Sequence, residues 1–127
     1  MIKPFRNRRS HNDLHAGNLL AADTEGMLKL TGVLDFEGAL AGDPLMDVAK
    51  ALYYLDKESR QALLQGYGAM DRENWPETLD LYHLYFVLEL WCWMAQIGNR
   101  QPLERLALDL QRLSSVARIH LAINART

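Results

Sequence analysis

The 127 residues predict an α+β fold, mainly helical, with one small β-hairpin. Two patterns carry that expectation. Between Gly17 and Phe36, two short apolar-rich runs flank a cluster of turn formers, which reads as a hairpin. From Ala39 onward, apolar residues recur at helical rather than strand spacing. A chain of this length makes one domain at most, with a modest core.

Taken in order, the opening ten residues carry four cations, Lys3, Arg6, Arg8 and Arg9, and read as an irregular, solvated N-terminal segment over 1–10. The hairpin uses residues 19–22 and 28–34 as strands, with Asp23-Thr24-Glu25-Gly26 turning between them. A first helix starts at Asp43-Pro44, since Asp suits the N-cap and Pro suits the first helical position. Leu45, Val48, Ala49, Leu52 and Leu55 form its apolar stripe. A second helix spans 59–70, weakened by Gly66 and Gly68. A third runs from Pro76 to a stop at Gly98-Asn99; its Tyr82, Tyr85, Phe86, Leu90, Trp91 and Trp93 leave almost no polar face, which predicts burial on most sides. A fourth spans 102–123, with Leu103, Leu106, Leu110, Leu113 and Ala117 as its stripe.

The chemistry is concentrated in His11-Asn12-Asp13-Leu14-His15-Ala16-Gly17-Asn18, followed by Val33-Leu34-Asp35-Phe36. Phosphoryl transfer from ATP needs a carboxylate to orient and deprotonate an attacking hydroxyl, and oxygen ligands for Mg²⁺. A loop offering Asp13 and Asn18, then a strand delivering Asp35, supplies all three. As isolated residues, Asp13 and Asn18 are also ordinary turn formers. His11-x-Asp13-x-His15 has the look of a metal-ligand cluster too, but zinc requires three or four ligands closing on one point. Cys92, His83 and His120 lie far off in helical patterns.

Residues 11–55 resemble the catalytic loop and metal strand of the aminoglycoside phosphotransferase and choline kinase superfamily, which shares its fold with protein kinases. Gly42-Asp43-Pro44-Leu45-Met46-Asp47-Val48-Ala49 resembles the G-D-P-x-x-D-[LV]-A segment of aminoglycoside-type enzymes, while His11-Asn12-Asp13 leans toward choline and ethanolamine kinases. The resemblance implies a kinase-like C-terminal lobe over 11–127, with catalytic loop and hairpin at 11–36 and a helical part at 43–127. It implies Asp13 as catalytic base, His11 as a brace of the loop, and Asn18 and Asp35 as Mg²⁺ ligands. His15 stands where protein kinases keep a phosphate-contacting Lys, which makes it a cofactor-side candidate. Asp43 and Asp47 become structural supports. The implied activity is transfer of the ATP γ-phosphoryl group to a hydroxyl on a small molecule; a non-catalytic remnant or binding module of the same fold is the alternative.

Such enzymes also carry an N-terminal lobe with a nucleotide-covering loop and a phosphate-binding Lys. Ten residues before His11 leave no room for it, and Gly66-Tyr67-Gly68 lies in a helical setting rather than a phosphate loop. A separately supplied lobe, or self-association through apolar surface near Leu19, Leu34 and the third helix, is therefore expected. On that third helix, Glu89 and Trp93 are candidates to face a cationic acceptor, or else belong to the packing.

Composition narrows the field. A net charge of −2 disfavours nucleic acid as a partner. No apolar run approaches the roughly eighteen residues needed to span a bilayer. The single Cys92 and the lack of a secretory pattern fit a reducing cytoplasm.

Overall fold

The computed structural model describes residues 8–70 and 73–124, with side chains in the last helix through Val116. Its order is β1 (Arg8–Ser10), a 3₁₀ turn (Ala16–Asn18), β2 (Leu19–Thr24), β3 (Met27–Val33), β4 (Leu40–Gly42), then α1 (Pro44–Tyr53), α2 (Lys57–Tyr67), α3 (Trp75–Gln96) and α4 (Leu103–Asn124). Helix dominates, as the sequence predicts. In place of one core, the chain divides into two compact units, Met1–Tyr67 and Gly68–Thr127.

The expected hairpin forms from β2 and β3, paired antiparallel with Leu19 opposite Val33 and Thr24 opposite Met27. Glu25 and Gly26 make a two-residue turn with φ of 56° and 81°, the left-handed pair that matches strand twist. Asp23 accepts a hydrogen bond from the Gly26 N–H at 2.9 Å. The register shifts between Leu20 and Ala21, so that Thr31 bulges out of the ladder.

Two expectations fail in this unit. Residues 8–10 are not irregular: β1 pairs antiparallel with β4, Arg9 facing Ala41, so the fold has two small sheets and not one hairpin. Residues 1–7, including Arg6, lie outside the described residues. The helical pattern assigned from Ala39 likewise begins only at Pro44, because Leu40–Gly42 is committed to β1. These three-residue strands are held from outside. Ser10, almost fully buried, donates from Oγ to the Asp43 carbonyl at 3.2 Å, and α1 packs against β1.

Helix α1 starts as its sequence dictates. Asp43 takes an extended backbone conformation and accepts from the Leu45 N–H at 3.0 Å, with Pro44 in the first turn. The stripe Leu45, Val48, Ala49 and Leu52 is buried and forms this unit's apolar core. Arg60 of α2 reaches back to close the other end of α1, donating from Nε to the carbonyls of Leu52 and Leu55 at 2.8 Å each. The Leu52 carbonyl also accepts from the Leu55 N–H at 3.2 Å, and a cation at this end of α1 is favoured by the helix dipole. At the start of α2, the Ser59 N–H bonded to Asp56 holds that carboxyl below its ordinary range. The cap is thus fully formed above the ordinary carboxylate range and is lost as pH falls through the lowered value.

In the second unit α3 packs along α4, around buried Leu79, Phe86, Val87 and Leu106. Two hydrogen bonds end α3, Gly98 N–H to Ala95 and Asn99 N–H to Met94, the pairing of a Schellman stop. The expectation that α3 is buried on most sides does not hold. Leu81, Tyr85, Leu88, Trp93 and Ile97 are about half exposed, because among the described contacts only one helix, α4, covers it extensively. Ala117 lies beyond the side chains described. No helix among the described residues is long and apolar enough to cross a membrane.

Candidate active site

The loop between β1 and β2 holds its shape through Asp47, one turn into α1. The two oxygens of this carboxylate accept from consecutive backbone amides, His11 N–H at 2.7 Å and Asn12 N–H at 2.8 Å. Lys50, on the same face of α1 and almost fully buried, donates Nζ to the carbonyl and the side-chain oxygen of Asn12. Helix α1 therefore grips both polar edges of one peptide segment. Lys50 was not legible as a functional residue in the sequence. Its signal is a lysine three positions after Asp47 on the apolar side of a helix, where an ammonium must find acceptors.

His11 ties the loop to the end of β3. Its Nδ1 accepts from the Asp13 N–H at 3.2 Å, which leaves the proton on Nε2 to be donated to the Leu34 carbonyl at 2.6 Å. The ring also packs on Phe36, with centroids 4.6 Å apart. With both nitrogens engaged, His11 is unavailable as a metal ligand. Among the described residues, no group of three or more His, Cys, Asp or Glu is arranged to hold a metal.

Asp13 and Asn18 meet directly. The Asn18 Nδ2 donates to the Asp13 carbonyl at 2.8 Å and to its Oδ2 at 3.2 Å. His15 brings Nε2 to 3.6 Å from the other carboxylate oxygen, Oδ1. Asp35 lies two residues past the end of β3, exposed, in the left-handed region at φ 60°. It follows Leu34, whose N–H donates to the Asn18 carbonyl at 2.8 Å and whose carbonyl accepts from His11. Asp35 is thus backbone neighbour to a residue bonded to both. Asn12, at φ 66°, is the other left-handed residue of this cluster. Asn and Asp tolerate that region best, and such strain gathers where function fixes the backbone.

His11, Asp13, Asn18 and Asp47 thus form one hydrogen-bonded cluster, with His15 3.6 Å from Asp13, Asp35 following Leu34 in the chain and Asp43 joined through Ser10. Glu89 and Trp93 belong to α3 in the second unit and are exposed.

The donor set suits Mg²⁺. The amide oxygen of Asn18 and the Asp35 carboxylate are oxygen groups of the kind that cation takes. Mg²⁺ is typically held by one or two carboxylates while it keeps waters and substrate phosphates.

The model of the phosphotransferase enzyme family (APH) matches residues 3–81, a span that contains this entire cluster. The chain belongs to that family. Its kinship is with the aminoglycoside phosphotransferase and choline kinase superfamily, and with kinase-like phosphotransferases in general. Neither a curated protein nor a solved structure matches the chain.

Proposed function

We propose that this family member transfers the γ-phosphoryl group of ATP to a hydroxyl of a small molecule, with the first unit acting as the catalytic part of a kinase-like C-terminal lobe. The observation that carries this reading is the carboxylate of Asp13, bonded to Asn18 on a loop whose backbone Asp47 grips at two successive amides. Asp13 holds the acceptor hydroxyl and takes its proton as the new oxygen–phosphorus bond forms and the bond to the ADP oxygen breaks. Asn18 Oδ1 and the Asp35 carboxylate would hold Mg²⁺. Mg²⁺, when bound, neutralises the phosphate oxygens so that an alcohol can attack. His15 flanks the Asp13 carboxylate, with Nε2 3.6 Å from Oδ1. His11 fixes the loop to the β3 exit, Asp43 starts α1, and Asp47 and Lys50 fix the loop to α1. Little covalent chemistry falls to the protein, so the rate rests on positioning and electrostatics.

Isothermal calorimetry with ATP, with and without Mg²⁺, tests the reading on the 127-residue chain. Weak binding is expected, since these residues offer no glycine-rich loop to cradle phosphates. It should require Mg²⁺ and fall away in Asp35→Asn. Metal-independent binding that survives Asp35→Asn contradicts the proposal.

A further inference from the structure

Beside Asp13 stands an aromatic residue outside every motif of the loop. Tyr54 caps the C-terminus of α1, and its ring lies 5.7 Å from that of His15, tilted by 60°. Its position is defined from behind: Arg60 donates to the carbonyls of Leu52 and Leu55 on either side, and Tyr53 packs edge-on at 5.4 Å. On the loop side, the Gly17 N–H donates to His15 Nδ1 at 3.1 Å. A neutral imidazole that accepts at Nδ1 carries its proton on Nε2, the atom facing Asp13 Oδ1 at 3.6 Å. Gly17 also leaves the space this ring occupies, since a Cβ there would lie 2.9 Å from His15 Cε1 and 3.0 Å from Nδ1.

We propose that Tyr54 and Gly17 are positioning residues that hold the His15 ring with its Nε2–H toward Asp13. The carboxylate is then bonded at Oδ2 by Asn18 and flanked at Oδ1 by the His15 Nε2–H, 3.6 Å away, which bounds the plane in which it meets an acceptor hydroxyl. The catalytic meaning rests on the phosphotransfer reading above; the clamp itself does not. Burial, and then the negative charge of Asp13, hold the Tyr54 phenol above its ordinary pKa, consistent with a ring lying within the field of that carboxylate.

Amide hydrogen exchange of the full chain, without nucleotide, tests the clamp. The Gly17 N–H bonds only to His15 Nδ1 among the hydrogen bonds of this loop, whereas the Asn12 and Leu34 amides bond to Asp47 and to the Asn18 carbonyl and serve as internal controls. Tyr54→Leu should speed Gly17 exchange by roughly tenfold, the scale of one lost hydrogen bond, with both controls unchanged. Tyr54→Phe keeps the ring and should restore protection. His15→Leu should match Tyr54→Leu. Unchanged Gly17 exchange in Tyr54→Leu, or equal loss in Tyr54→Phe, overturns the proposal. In turnover, Tyr54→Leu and Gly17→Ala should lower kcat by up to about 10²-fold with little change in KM for Mg·ATP, the pattern of a misplaced group. Protected Gly17 with ring-dependent exchange but no effect of Asp13→Asn on turnover would leave the clamp standing and remove the phosphotransfer reading.

Discussion

Asp13→Asn should lower the rate of phosphoryl transfer by about 10²–10⁴-fold, the usual contribution of a positioned general base. The replacement keeps the shape of the side chain and an oxygen that can accept from Asn18 Nδ2, so fold and nucleotide affinity should change little. What it removes is the second anionic oxygen, and with it the capacity to take the hydroxyl proton. Release of ADP, with water standing in for the acceptor alcohol, supplies the assay. A kcat equal to that of the native chain would exclude Asp13 as the base.

Asp47→Ala should be the most damaging change to the first unit. It removes two charge-assisted hydrogen bonds and leaves the amides of His11 and Asn12 without their partner. Bonds of this kind contribute about 1.5–3 kcal/mol each, so a loss of roughly 3 kcal/mol or more is expected. Lys50 donates to Asn12 as well, and that acceptor would no longer be held in place. Urea unfolding should be followed through the Asn12 and Val48 amide resonances, because Trp75, Trp91 and Trp93 all lie in the second unit. A midpoint within error of the native chain would show that Asp47 does not hold the loop.

How much of this was legible in the sequence follows from the range of the interactions. The loop residues were readable because their chemistry is local in sequence: Asp13 bonds Asn18 five positions on, and Asp43 caps the helix that begins beside it. The hairpin was readable from alternating apolar runs and turn formers, and α1 from its cap and stripe. The β1–β4 pair was not, since Arg8–Ser10 has neither length nor periodicity, and its partners lie thirty or more residues away. Lys50 was missed for the same reason, its acceptor being a loop residue 38 positions distant. Tyr54 has no motif around it; only the fold brings its ring to His15. In α3 the apolar residues point in all directions, and such a pattern signals a need for cover without naming what supplies it. The structure covers Phe86 and Val87 and leaves Tyr85 and Trp93 about half exposed.

The convergence of Asn18 and Asp35 on one cation beside Asp13 is the claim on which the rest depends. Mn²⁺ in place of Mg²⁺, added with ATP to the isotope-labelled chain, broadens nuclear resonances according to their distance from the bound ion. Broadening should be strongest at Asn18 and Asp35, strong at Asp13, and nearly abolished by Asp35→Asn. Broadening centred elsewhere on the chain, or unaltered in Asp35→Asn, would contradict the assignment of this loop as a metal-dependent phosphotransfer site.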